Sequence, residues 1–172
     1  MRSQWIAGTI GFLAAASAWP SAAQAQVTGQ VEVKLLVTAS CDVSGSAAGK
    51  LGNAVLDFGS ATLLQDAING QTATSGAQAF QVLCNPGVAY TLSFNAGQNA
   101  ALVANRAMKL DVGPEMVRYQ LYSDAGRGTV LTTIGGTGTG SAQIINIYGA
   151  VPPQAAPKAG NYKDVVTVTV TF

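Results

Sequence analysis

From Val27 onward, apolar and polar residues alternate far more often than they repeat with a helical period. Val27, Gly29, Val31, Val33 and Leu35 fall on one face of an extended segment, and Thr28, Gln30, Glu32 and Lys34 on the other. The same spacing recurs at Leu56 and Phe58, in Phe80-Gln81-Val82, in Tyr90 to Phe94 and in Val117 to Tyr122. Val130 to Ile134 and Ile144 to Tyr148 are short apolar stretches, and Val166, Val168, Val170 and Phe172 alternate with Thr167, Thr169 and Thr171. Turn residues separate these runs: Asn69-Gly70, Asn95-Ala96-Gly97, Val112-Gly113-Pro114, Asp124-Ala125-Gly126, and Pro152-Pro153 to Pro157. The pattern predicts an all-β chain folded as one antiparallel sandwich or barrel. One helical piece, Ala61 to Ile68, is expected, too short to change the class.

The first 25 residues follow another rule. Arg2 supplies a positive start, Trp5 to Trp19 an apolar run, and Ala23-Gln24-Ala25 a small-x-small cleavage site, so residues 1–25 read as a secretory signal and Gln26 as the mature start. A membrane anchor needs about 20 apolar residues, and Pro20 interrupts the run first.

Composition then removes several functions. The chain has 172 residues, nine Lys+Arg against eight Asp+Glu, and no histidine. Loss of Arg2 with the signal leaves the mature chain formally neutral, without the basic footprint of a nucleic-acid or anionic-membrane surface. Without histidine the commonest general base and metal ligand are missing, so no enzyme activity, metal or cofactor is expected, and no small-molecule substrate. The charged fraction of 10%, well under the about 25% of ordinary domains, fits a surface covered by small polar residues or by other subunits.

Three local patterns have plain structural readings. Gly135-Gly136-Thr137-Gly138-Thr139-Gly140 lacks the Lys-Ser/Thr and the strand-loop-helix context of a phosphate loop, and reads as a flexible hairpin connection. The acidic residues Asp42, Asp57, Asp66, Asp111, Glu115 and Asp124 are dispersed, and surface or turn roles outrank a glycosidase pair. Gly160-Asn161-Tyr162-Lys163-Asp164, just before the last strand, suits a structural tyrosine corner.

Export into an oxidising compartment makes the two cysteines a pair, Cys41 with Cys84, rather than two reactive thiols. Closing a loop of this size stabilises a domain by about 4 kcal/mol in the chain-entropy model.

The strand directly after the cleavage site has two readings: the first strand of the chain's own sandwich, or an arm that adds to the sheet of a neighbour. Val27-Thr28-Gly29-Gln30-Val31 with Val33 and Leu35, then Cys41, Leu56-Asp57-Phe58-Gly59, Cys84, Tyr119 to Asp124, Tyr148-Gly149-Ala150 and Gly160 to Asp164 resemble, in this order, the spore coat protein U family. Within it the likeness is to major subunits of archaic (Csu-type) chaperone–usher pili, and it spans essentially all of the mature chain.

The resemblance implies an immunoglobulin-like sandwich lacking its last strand, completed first by a periplasmic chaperone and then by the arm of the next subunit. It implies polymerisation through an outer-membrane usher into a surface fibre for adhesion and biofilm growth. Residues 26–37 would then be the donor strand and 38–172 the pilin domain, with Val27, Val31, Val33 and Leu35 filling acceptor pockets and Gly29 at the donor glycine position. Val37 either extends the donor or opens the subunit's own first strand. The C-terminal strand, with Val168, Val170 and Phe172, would border the open groove and meet the chaperone. The rival expectation is a self-contained secreted sandwich, a coat component or carbohydrate-binding module. Both tryptophans, Trp5 and Trp19, lie in the signal, which weakens a carbohydrate platform.

Overall fold

The computed structural model describes residues 26–46 and 51–172, so the expected signal, residues 1–25, lies outside the described residues. The chain divides at Leu36/Val37, and the two parts are taken separately. In the body the strands are β1 (Cys41–Val43), β2 (Ile68–Gln71), β3 (Gln81–Cys84), β4 (Ala89–Phe94), β5 (Ala107–Leu110), β6 (Met116–Arg118), β7 (Gln120–Tyr122), β8 (Thr133–Thr137), β9 (Gln143–Ile144), β10 (Tyr148–Val151), β11 (Tyr162–Lys163) and β12 (Val168–Thr171). They form four three-stranded groups, ordered β1-β3-β9, β2-β10-β7, β11-β5-β6 and β12-β4-β8. Every strand pair is antiparallel. The chain is therefore all-β, as the alternation predicts. Among the described residues the helical content is one 3-10 turn, Val103–Asn105, and no helix is long and apolar enough to cross a membrane.

Strand β4 shows how the pattern builds the core. Tyr90, Leu92 and Phe94 are buried while Ala89, Thr91 and Ser93 are exposed, the two faces of one pleated strand. The inward set packs with Phe80, Val82, Val117, Leu121, Leu131, Ile147 and Val151 in one apolar cluster. Phe80 and Phe94 lie 5.7 Å apart, ring centre to ring centre, within the range of favourable aromatic pairs.

Several expectations are corrected. Residues 61–67 form no helix, and Ile68 begins β2. Asn69-Gly70 is no turn: both residues lie inside β2, with Gly70 opposite Gly149 of β10. The bare pair makes room for a crossing segment, since a side chain at either glycine would meet Leu56 and Phe58 at 2.8–3.0 Å. The glycine run is likewise strand as far as Thr137, paired with β4, because Gly136 sits opposite Tyr90 and the tyrosine ring occupies the space a side chain would need. Val117 to Tyr122 is two strands rather than one: β6 pairs with β5 and β7 with β10, so the chain changes sheets at Tyr119. Ile144 to Tyr148 divides in the same way, between β9 and β10.

Gly138 is more tightly confined than its neighbours in the run. Its N–H donates to the Val88 carbonyl at 2.8 Å, its carbonyl accepts from Gly87 N–H at 2.9 Å, and a Cβ there would fall 2.3 Å from the Asn85 carbonyl oxygen.

Beneath the core lies a polar cluster that sequence periodicity does not reveal. Arg106 is fully buried. Its Nε and Nη2 donate to the Asn95 carbonyl at 3.2 and 2.8 Å, Nη2 also to the Leu131 carbonyl at 3.0 Å, and Nη1 to Gln120 Oε1 at 2.8 Å. Burial draws the guanidinium below its ordinary value, opposed by nearby Tyr119 and Asp164. Tyr119 Oη donates to Asp164 Oδ2 at 2.6 Å, and Asp164 Oδ1 accepts from Gln98 N–H at 2.8 Å and Asn99 Nδ2 at 2.9 Å. Burial first, then the bond to Asp164, pushes the Tyr119 phenol well above its ordinary 10.0. Nearby, Tyr162 Oη donates to the Lys158 carbonyl at 2.7 Å, four residues upstream, the bond of a tyrosine corner.

Two outcomes follow from this packing. Gly138→Ala lowers unfolding stability by about 1–3 kcal/mol, whereas Gly135→Ala, where a Cβ meets only the Tyr90 carbonyl at 3.8 Å, stays close to native; denaturant midpoints distinguish them. Because the folded state keeps Tyr119 protonated, its contribution is complete below the unfolded phenol value near 10.0 and is lost as pH rises beyond it. Midpoints measured across the alkaline range therefore fall above that pH, and Tyr119→Phe flattens the fall, with Tyr90 and Tyr162, also raised, supplying the remainder.

Candidate assembly site

Residues 26–40 form no strand. Their apolar side chains are almost completely open: Val27 is 95% exposed, Val31 89%, Val33 88% and Leu35 87%. On the polar face Glu32 and Lys34, two residues apart, form an ion pair at 2.8 Å, as alternation along an extended chain requires. Nothing lies within 4 Å of where a Cβ would stand on Gly29. Leu36, 85% exposed, interrupts the alternation, and Val37, 68% exposed, resumes it. A run of open aliphatic side chains rimmed by polar ones marks an interaction surface.

Within the body, β12 pairs among the described strands with β4 alone. Asn95 N–H donates to the Thr167 carbonyl at 3.1 Å, so Thr167 belongs to the bonded class across from β4, and the period of two adds Thr169 and Thr171. The main-chain groups of Val168 and Val170 consequently point away from β4, and no described strand pairs there. Val166, Val168 and Val170 nevertheless pack against the core while remaining partly open, and Phe172 beyond them is 57% exposed. One strand thus carries an apolar face rooted in the core and an unused row of donors and acceptors.

Strand β1 is also an edge and comes within 8 Å of β12, Cα to Cα, without pairing with it. Ser44 N–H bonds to the Gln81 carbonyl and Asn85 N–H to the Ser40 carbonyl, which turns the main-chain groups of Cys41 away from β3. Those of Val43 are used locally, its N–H by Asp42 Oδ1 at 2.9 Å and its carbonyl by Ser46 N–H at 3.1 Å. Cys41 sits directly opposite Cys84 with Cα atoms 4.1 Å apart, the close spacing of a non-hydrogen-bonded pair, and the two are joined by a disulfide. The covalent bond therefore fixes the register of a three-residue strand that three rungs alone would hold poorly.

The segment that leads into β12 is the part that residue patterning overlooked. Asn95 accepts Thr167 N–H on its side-chain Oδ1 at 2.9 Å, while its own carbonyl is taken by Arg106. The partners lie 11 to 72 residues apart, beyond the reach of any local signal. Among the described residues no group of three or more Cys, Asp or Glu converges as a metal site.

The spore coat protein U domain family model matches residues 27–169. No curated protein matches the chain. Among solved structures, one similar chain belongs to the CsuC–CsuE chaperone–tip adhesion subunit pre-assembly complex from archaic chaperone–usher Csu pili of Acinetobacter baumannii. The identity is 18% and the TM-score 0.51, over 79% of this chain and 40% of that one, a likeness of fold alone. The matched span takes in the exposed arm, both cysteines and the first half of the open-edge strand, and the chain belongs to the spore coat protein U domain family.

Proposed function

We propose that this chain is a structural subunit of a chaperone–usher pilus, polymerising head-to-tail by donor-strand exchange. The observation that carries the proposal is the pairing of two unmet needs in one chain: an arm of open alternating aliphatics and a body with an unpaired, core-backed edge at β12. In this reading residues 1–25 direct export, residues 26–37 form the donor strand, and residues 38–172 form an immunoglobulin-like sandwich without its last strand. Val27, Val31, Val33 and Leu35 enter the groove beside β12 in the next subunit, and Gly29 lies where the approach is closest. Before that, a periplasmic chaperone occupies the edge through Val168, Val170 and Phe172, and an outer-membrane usher then exchanges it for the arm. The solved likeness, a chaperone bound to a pilus subunit, supports this sequence of partners.

The energetics favour such exchange. Burying four aliphatic donor side chains at about 1.5–3 kcal/mol each yields roughly 6–12 kcal/mol before ordering costs. That is comparable with the whole stability of a domain, about 5–15 kcal/mol. An unfilled groove joined to an unpaired edge invites edge-to-edge aggregation, which a chaperone prevents. Since each contact is head-to-tail and does not close, repetition gives a filament rather than a ring. The subunit's role is mechanical, in fibres at the cell surface that serve adhesion and biofilm growth.

Two variants test this reading in cells expressing the chain with its chaperone and usher. Deleting residues 26–36 leaves a chaperone-bound monomer and no fibres by electron microscopy; normal fibres would overturn the proposal. Val31→Asp places an unpaired charge in the groove and shortens or abolishes fibres, whereas Val31→Ile preserves them.

A further inference from the structure

We infer that Asn95 and the buried Arg106–Tyr119–Asp164 cluster are positioning residues that hold the open edge of β12 in register before any strand is added to it. The inference rests on the strand-addition reading and names the groups that prepare its acceptor side.

Strand β12 is four residues long and bonded on one side, an arrangement that frays readily. The residues just before it are held independently of its ladder. In a regular antiparallel pair Thr167 N–H would donate to the Asn95 carbonyl. Here that carbonyl accepts two bonds from Arg106, and the Asn95 side-chain oxygen takes Thr167 N–H in its place. The substitution ties the lead-in of the edge strand to a fully buried guanidinium that is itself bonded to Gln120 and the Leu131 carbonyl. Three residues upstream, Asp164 is gripped by Tyr119 Oη, Gln98 N–H and Asn99 Nδ2. Residues 164–167 are thus pinned at both ends.

The described ion pairs join Lys34 to Glu32 and Lys163 to Asp111, so no described carboxylate forms one with Arg106. Replacing buried charged groups by apolar side chains of similar volume is often neutral or stabilising, so stability alone does not account for a guanidinium at this position. What the guanidinium supplies is geometry, since its fixed fork reaches Asn95, Gln120 and Leu131 together. An acceptor edge already straight loses less freedom when a donor arrives, and it captures that donor faster.

The test uses the full chain held by its chaperone, which keeps the groove from aggregating, and an excess of fluorescent peptide of residues 26–36, with exchange of the peptide into the groove followed by anisotropy. Asn95→Ala is expected to slow capture about tenfold, the scale of one or two lost hydrogen bonds, with dissociation little changed, and to speed amide exchange at Thr169 and Thr171 in the chaperone-held chain before peptide is added. Asn95→Asp, which keeps an acceptor oxygen in place, restores capture. Gly138→Ala, destabilising but remote from this cluster, leaves the association rate near native. Should Asn95→Ala fail to fold, Tyr119→Phe, which removes one hydroxyl, carries the comparison. Native association in Asn95→Ala or Tyr119→Phe, no rescue by Asn95→Asp, or equal slowing by Gly138→Ala would overturn the inference alone. A native chain that captures no peptide would overturn the strand-addition reading with it.

Discussion

Main-chain N–H and C=O groups must find partners, and Val168 and Val170 place theirs on the side of β12 where no described strand pairs. Water can solvate those groups, but it cannot cover the half-buried valines beside them without leaving the core incompletely packed. Polar replacement at the same positions would soften the edge and strip contacts from the core. The two demands share one strand, and a second extended segment with alternating aliphatics satisfies both at once.

Stability has to come from elsewhere, and the structure shows where. Tyr90 lies over Gly136, and Leu56 with Phe58 over the facing glycines 70 and 149, so large side chains cover bare backbone on adjoining strands. The shift of the chain between sheets at Tyr119 brings that residue to Asp164 and places Gln120 beside Arg106. Asymmetry results: a strand paired on both sides at β4, and beyond it β12, paired along its four residues with β4 alone among the described strands.

The fold class was legible because alternation survives wherever a strand has one buried and one open face, as in β4 and β12. Strand boundaries were less so, since β6 and β7 run on in sequence and differ only in which neighbour each selects. Glycine misled for a physical reason. At positions 70 and 136 it permits close approach inside strands, and composition cannot distinguish that from turn-making. Strand β5 went unnoticed because Ala107-Met108-Lys109-Leu110 has no simple alternation: its ends are buried and its middle is not. The arm announced itself through Val27 to Leu35, whereas Asn95 and Arg106 depend on partners distant in sequence and left no local trace.

The place of the disulfide has a consequence for load. In a fibre linked through donor arms, tension travelling along an arm would enter its own subunit at the start of β1, where Cys41 is the first residue of the strand. Three backbone rungs pulled from one end would unzip in succession. The bond to Cys84 instead delivers the force to β3, which is flanked on both sides and whose Val82 is wholly buried. The filament would then yield where arm meets groove, a joint able to re-form, before its building blocks are torn open.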